Sequence, residues 1–271
     1  MPTAICSRLS TYLRLCSQPD FTGVFEITNE KGTAWKLRFL SGSLVADSGG
    51  MFPLQRWQRQ VARYRSNLPQ GEFRYPGDGE WNYQVLNELI TKNVIAEPRA
   101  IKILGSSVCE ILFEVALQEL NHEGNSAVNN YQMTWQSLST FEEAPLVSLD
   151  INRVWPEVSK LVTRWDQNGW KAISPSSVPS VINPDKLAQL TFCTDFEELP
   201  NVLDDNSTLW ELASRLKCSI YSITQTIVAL EQSQCVRFAG TSGLSEEEHR
   251  IVSMGTSSGL DDVPTVISLR V

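Results

Sequence analysis

Between Phe21 and Ala46 the chain carries three short aromatic and β-branched runs separated by two tight turns. Few arrangements other than an antiparallel meander accommodate that pattern. Phe21-Thr-Gly-Val-Phe-Glu-Ile and Ala34-Trp-Lys-Leu-Arg-Phe-Leu flank Asn29-Glu-Lys-Gly, and Ser41-Gly42 leads into Ser43-Leu-Val-Ala. Side chains alternate across a strand, so Trp35, Leu37 and Phe39 share one face while Lys36 and Arg38 share the other. Gly49-Gly50 then breaks the run.

Beyond the glycines the period changes from two to that of a helix. Leu54, Trp57, Val61 and Tyr64 predict a helix over 54–64, and further helices are predicted over 83–91 and 97–120. The last carries a long apolar stripe through Ile101, Leu104, Val108, Ile111, Leu112, Val115 and Leu120. An N-terminal helix is predicted over 4–15, a strand over 131–140 and an amphipathic helix over 151–168. Residues 169–184 hold Pro175, Pro179 and Pro184 among serines and read as a linker. Short helices are predicted over 184–190 and 196–203, and Asn206-Ser207 is expected to cap a helix over 208–216. Ile220 to Glu231 and a strand at Cys235-Val-Arg-Phe follow, a winged-helix pattern. The expected fold is α+β: a small antiparallel sheet with packed helices, a helical insertion, and a C-terminal winged-helix-like unit. The expected domains are 1–170, 181–240, and a flexible acidic tail over 241–271.

The chain has 271 residues, 42% hydrophobic and 20% charged, which fits a folded globular protein and not a disordered one. No apolar run approaches the roughly 20 residues of a membrane helix. Met1 to Ser10 lack a basic head followed by an apolar core, so no signal peptide is expected and the location is expected to be cytoplasmic. The six cysteines form no CxxC and there are two histidines, His122 and His249, so a structural zinc site is not expected. Reduced, buried thiols are expected instead. Residues 1–105 hold 13 Lys/Arg against 9 Asp/Glu, and residues 106–271 hold 10 against 22, giving +4 and −12. An acidic chain is a poor general nucleic-acid binder, because phosphate affinity comes from dense Lys/Arg.

Several motifs that carry catalysis are absent from the sequence: there is no GxxxxGK[ST], GxGxxG or HExxH. Cys109 sits within Ser107-Val-Cys-Glu-Ile-Leu-Phe, a buried helical face, where core packing is the better account. Carboxylate-pair catalysis leaves no spacing rule and stays open at this point. No cofactor, metal or catalytic residue is assigned, and the chain is expected not to be an enzyme. The segment 219–231 tempts a DNA-binding assignment but contains no Lys or Arg, and residues 181–240 hold four cations against eight acids. The more informative segment is Ser48-Gly-Gly-Met-Phe-Pro-Leu-Gln-Arg-Trp-Gln-Arg-Gln. Arg56, Arg59 and Arg63 fall at i, i+3 and i+7 and form one basic stripe beside Trp57. Arg and Trp dominate interface hot spots, so these four residues are the candidate partner-binding face. Three readings stand side by side: a docking surface, an ordinary solvated face with Trp57 in the core, and internal pairing with the acidic C-terminal half.

The hairpin, the pair Trp35-Lys-Leu-Arg-Phe-Leu-Ser-Gly-Ser-Leu-Val, the glycine pair with its Arg/Trp helix, and Trp81-Asn-Tyr-Gln-Val-Leu together resemble the PatA N-terminal (PATAN) domain of cyanobacterial PatA-type response regulators. The resemblance extends over about residues 5–240. It implies a non-enzymatic output module of two-component signalling that binds other proteins, among them pilus motor or signalling proteins. Such modules act in phototaxis, type IV pilus motility and cell patterning. In that family a receiver follows the module. After Gly240 only about 30 residues remain, whereas a receiver takes roughly 110–130, so no receiver and no phosphoacceptor aspartate is expected here. The alternative is a DNA-binding transcriptional regulator working through residues 205–238.

Overall fold

The computed structural model describes residues 7–64, 81–122, 131–137, 144–191, 198–203 and 206–239. The chain divides into two compact units, one ending at Ala172 and the next beginning at Ile173. Both helices and antiparallel sheets are present, so the α+β class holds. The predicted tail over 241–271, with His249, and the residues Cys6 and Cys193 lie outside the described residues.

The first unit is built on the predicted meander, β1 (Gly23–Asn29), β2 (Ala34–Leu40) and β3 (Ser43–Gly49). A fourth strand, β4 (Tyr131–Ser137), joins on the free side of β1, so the sheet order is β3-β2-β1-β4. Alternation works as expected: Phe25, Ile27, Trp35, Leu37 and Phe39 are fully buried on the inner face. Lys36 and Arg38 lie on the other face, where Lys36 pairs with Glu26 directly opposite.

Two helices lie against the inner face. In α1 (Ser7–Cys16) the Tyr12 ring stacks on Phe25 at 5.5 Å. The central helix α4 (Glu97–His122) has 26 residues, about 39 Å at 1.5 Å per residue. Almost every position from Ile103 to Leu117 is buried, which is why its sequence is apolar on more than one face. α5 (Ile151–Gln167) packs along α4 through Val154, Val158, Val162 and Trp165, and the Trp165 ring meets Phe113 edge-on at 5.1 Å. Two further helices, α2 (Pro53–Arg63) and α3 (Trp81–Thr91), precede α4.

The second unit contains β5 (Val178–Val181), α6 (Pro184–Thr191), α7 (Leu199–Val202), α8 (Leu209–Arg215), α9 (Ile220–Gln232) and β6 (Val236–Ala239). The helix, turn, helix and strand expected here are present, and Leu209, Leu212, Ile220, Ile223 and Ile227 bury its core. Three details differ from expectation. Residues 178–181 are not linker: β5 pairs antiparallel with β6, because a two-stranded ribbon satisfies backbone groups that the Pro/Ser content alone would leave to water. The helix within 196–203 is reduced to α7. The α8 cap is Thr208, not Asn206-Ser207: Thr208 and Glu211 form a reciprocal capping box, which satisfies two end donors at once.

Cys16, Cys109 and Cys235 are buried free thiols and Cys218 is a half-buried one. Burial pushes the Cys16 and Cys109 thiols up to about 12, so both behave as small apolar residues. No described helix is long and apolar enough to cross a membrane.

Thr208→Ala should cost the second unit about 1 kcal/mol through loss of the capping box. Hydrogen exchange would read this as roughly fivefold faster exchange of the α8 amides at unchanged exchange in the first unit.

Candidate functional site

The arginine stripe is carried by α2, whose placement begins at β3. Gly49 and Gly50 both take left-handed backbone conformations, with φ of 74° and 82°. A Cβ on Gly50 would fall 2.4 Å from the Trp35 indole nitrogen, so the tight turn needs glycine on steric as well as conformational grounds. The turn folds α2 back over α4, and Pro53 opens the helix at a position where a missing N–H costs nothing.

Seen from α4, the stripe meets Ser107, Glu110 and Glu114, spaced i, i+3 and i+7 and therefore on one face. Arg56 is 3% exposed and donates from Nε to Ser107 Oγ at 3.1 Å and from Nη2 to the Gly49 carbonyl at 2.9 Å. The same Nη2 lies 3.4 Å from Asp47 Oδ2, forming a buried ion pair. Ser107 Oγ in turn donates to Asp47 Oδ2 at 2.7 Å, so the hydroxyl links guanidinium and carboxylate. Arg59 donates to Glu110 Oε2 at 2.6 Å, and Gln60, fully buried, donates to Glu110 Oε1. Glu114 accepts from the Trp35 indole N–H at 3.4 Å. Tyr64 shares a 2.9 Å hydrogen bond with Ser106.

The candidate partner-binding residues therefore separate. Arg56 and Arg59 point inward into ion pairs, Arg63 is half-buried, and the Trp57 ring is half-buried as well. The reading that puts Trp57 in the core does not hold, and Arg56 and Arg59 are turned away from solvent. The physical reason lies in α4: Glu110 and Glu114 are buried, and a buried carboxylate must be met by a cation or by donors. Internal pairing with the acidic half, the third reading of the sequence, is the one that Arg59 and Glu110 realise. Asp47, Ser107, Glu110 and Glu114 belong to no motif that marks them in the sequence. The available signal was the pair of glutamates inside Val108–Leu117, set among Ile111, Leu112, Phe113 and Val115.

Burial pushes the Asp47 carboxyl above its ordinary value, against the opposing charge of Arg56 and the hydrogen bonds from Ser107 and Arg56. Burial likewise raises Glu114, opposed by the charge of Arg56 and reinforced by Glu110. Among the described residues no group of three His, Cys, Asp or Glu side chains could hold a metal ion.

The second unit presents a different surface. In α9, Ile220, Ile223, Thr224, Ile227 and Leu230 face its core. Gln225 and Ala229 are exposed on the opposite side, with Ser222 and Thr226 half-buried beside them. Ser219 caps the helix by accepting from the Ser222 N–H at 2.9 Å. The outward face is thus uncharged until Glu231 at the C-terminal end.

No family model, curated protein or solved structure matches the chain.

Removing one member of a buried ion pair strands the other. Arg56→Met should therefore lower stability by about 3–5 kcal/mol, whereas Arg63→Glu should stay within about 0.5 kcal/mol. Urea unfolding of the two variants checks this contrast. Glu114 supplies a second prediction. Its folded-state proton is held more tightly than in the unfolded chain, so its contribution to stability falls as pH rises above the ordinary carboxylate range. Glu114→Gln removes that titration at constant shape. The Tm of the variant, relative to wild type, should rise between about pH 4 and pH 8, and a difference independent of pH would contradict the assignment.

Proposed function

We propose that the chain is a non-enzymatic protein-interaction module, the output element of a two-component signalling system in a cyanobacterium. It serves phototaxis, type IV pilus motility or cell patterning, works in the cytoplasm, and binds pilus motor or signalling proteins. The observation that carries this reading is the outward face of α9. In a helix–turn–helix arrangement the second helix is the one that meets a ligand, and here it offers Ser222, Gln225, Thr226 and Ala229 without a single cation. A DNA reader draws its affinity from Lys and Arg against phosphate, so this face suits a protein surface better. A non-catalytic role is further supported by the way the gathered charges of the first unit are used. Arg56 and Asp47, and Arg59 and Glu110, are engaged with each other away from solvent. The choice of pathway rests on the sequence resemblance alone.

The test offers the immobilised chain a duplex DNA and a cyanobacterial lysate in parallel at about 50 mM salt. Wild type should capture an identifiable motor or signalling protein and leave the duplex unretained. Gln225→Arg/Ala229→Arg should reduce that capture at least tenfold while the duplex still passes through. Retention of the duplex by wild type, strengthened by the two added arginines, would establish the DNA-binding alternative in its place.

A further inference from the structure

The four-stranded sheet has two edges, and they are treated differently. On β3 the register slips at a bulge between Arg38 and Phe39, and Leu44 bridges to Leu149 beside it. Bulges and covering segments are the usual devices that stop an edge from pairing further. On β4 none of them is found among the described residues. Its register against β1 runs unbroken from Gly23 opposite Ser137 to Asn29 opposite Tyr131. The strand Tyr-Gln-Met-Thr-Trp-Gln-Ser contains no proline and no charged residue. Among the described residues no strand lies on its far side. Gln132, Thr134 and Gln136 are exposed, and Trp135 is 54% exposed although it lies on the same face of the sheet as buried Phe25. The Trp135 ring is nevertheless held in place, tilted against Tyr12 at 5.6 Å.

We propose that this edge is a homodimer interface, on which β4 of a second copy pairs antiparallel about a two-fold axis through Thr134. The strand is complementary to itself in that register. A two-fold contact requires that if one residue meets another, the second also meets the first. With Thr134 on the axis, Met133 opposes Trp135 of the second copy twice, Gln132 opposes Gln136 twice, and Thr134 opposes itself. Opposed residues share a face, so Met133 and Trp135 come together on the inner side, where sulfur and indole attract. The glutamines and threonines come together on the outer side, where side-chain hydrogen bonds form across strands. No like charges meet. A neutral strand also gives an acidic or basic peptide nothing to select, whereas its own copy matches it position by position. The seven residues span about 24 Å, a small contact, so the dimer forms in the range of tens of micromolar rather than nanomolar.

The full chain is examined by sedimentation equilibrium over about 1–200 µM, with hydrogen exchange of β4 amides at both ends of that range. Wild type should pass from monomer to dimer, and β4 exchange should slow as it does. Thr134→Lys and Thr134→Glu each set two like charges against each other on the axis, and each should weaken dimerisation at least tenfold. Thr134 is exposed, so both variants keep the monomer fold, which unchanged thermal unfolding verifies. An equimolar mixture of the two should dimerise again, because lysine then meets glutamate. Three results would overturn the proposal. One is a wild-type monomer at the highest concentration, whether its β4 amides stay open or are protected throughout by another segment of the chain. The second is a dimer indifferent to Thr134→Lys. The third is a mixture that fails to recover.

Discussion

A helical stretch buried on every side cannot carry a carboxylate unless something answers its charge, and the buried stretch of α4 carries two. Glu110 and Glu114 sit within the stretch that packs against the sheet, α2 and α5. Neither is exposed enough to be solvated, so counterparts have to be brought in. That requirement gives α2 its position and its face. It also explains the tightness of the turn before α2, since the Gly49 carbonyl accepts from Arg56 and Gly50 leaves room for the Trp35 indole that reaches Glu114. Asp47, at the end of β3, completes the arrangement by binding both Arg56 and Ser107. Strand, turn and two helices are thereby tied at one polar centre inside an otherwise apolar unit.

The meander was legible in the sequence because turn chemistry and alternation agree there: Asn29 to Gly32 turns the chain, and Trp35, Leu37 and Phe39 mark the inner face. The central helix was legible from its stripe. The partner of β1 was not, since β4 arrives after the whole of α2, α3 and α4, and nothing local specifies which edge a distant strand will join. The inward turn of Arg56 and Arg59 was hidden for a sharper reason. Periodicity shows that α2 is two-faced, and convention assigns the apolar side to the core. In this helix the assignment is reversed: Arg56 and Gln60 are buried while Leu54, Trp57 and Val61 are only half-buried. A pattern on one helix cannot reveal that the surface it packs against is itself charged. That information sat on α4, about fifty residues downstream.

The second unit shows the complementary lesson. Its helices follow from spacing, and α9 begins at Ile220 as predicted, but the Pro/Ser segment before it conceals β5. Proline at position 179 is compatible with an outer strand of a two-stranded ribbon, where one side of the backbone has no partner in any event. Reading such a segment as linker weighs composition above pairing, and pairing is a property of residues sixty positions away.

The ionic character of the contact between α2 and α4 also bears on how the molecule responds to temperature. Apolar contacts weaken on cooling and carry the large heat capacity of unfolding, while the desolvation cost of paired charges falls as temperature rises. The helices around Trp165 and the inner sheet face follow the first rule, and Arg56 with Arg59 follow the second. α2 is thus fastened to the same unit by contacts of opposite thermal sense: its ion pairs become relatively harder to break as the apolar core approaches its own melting.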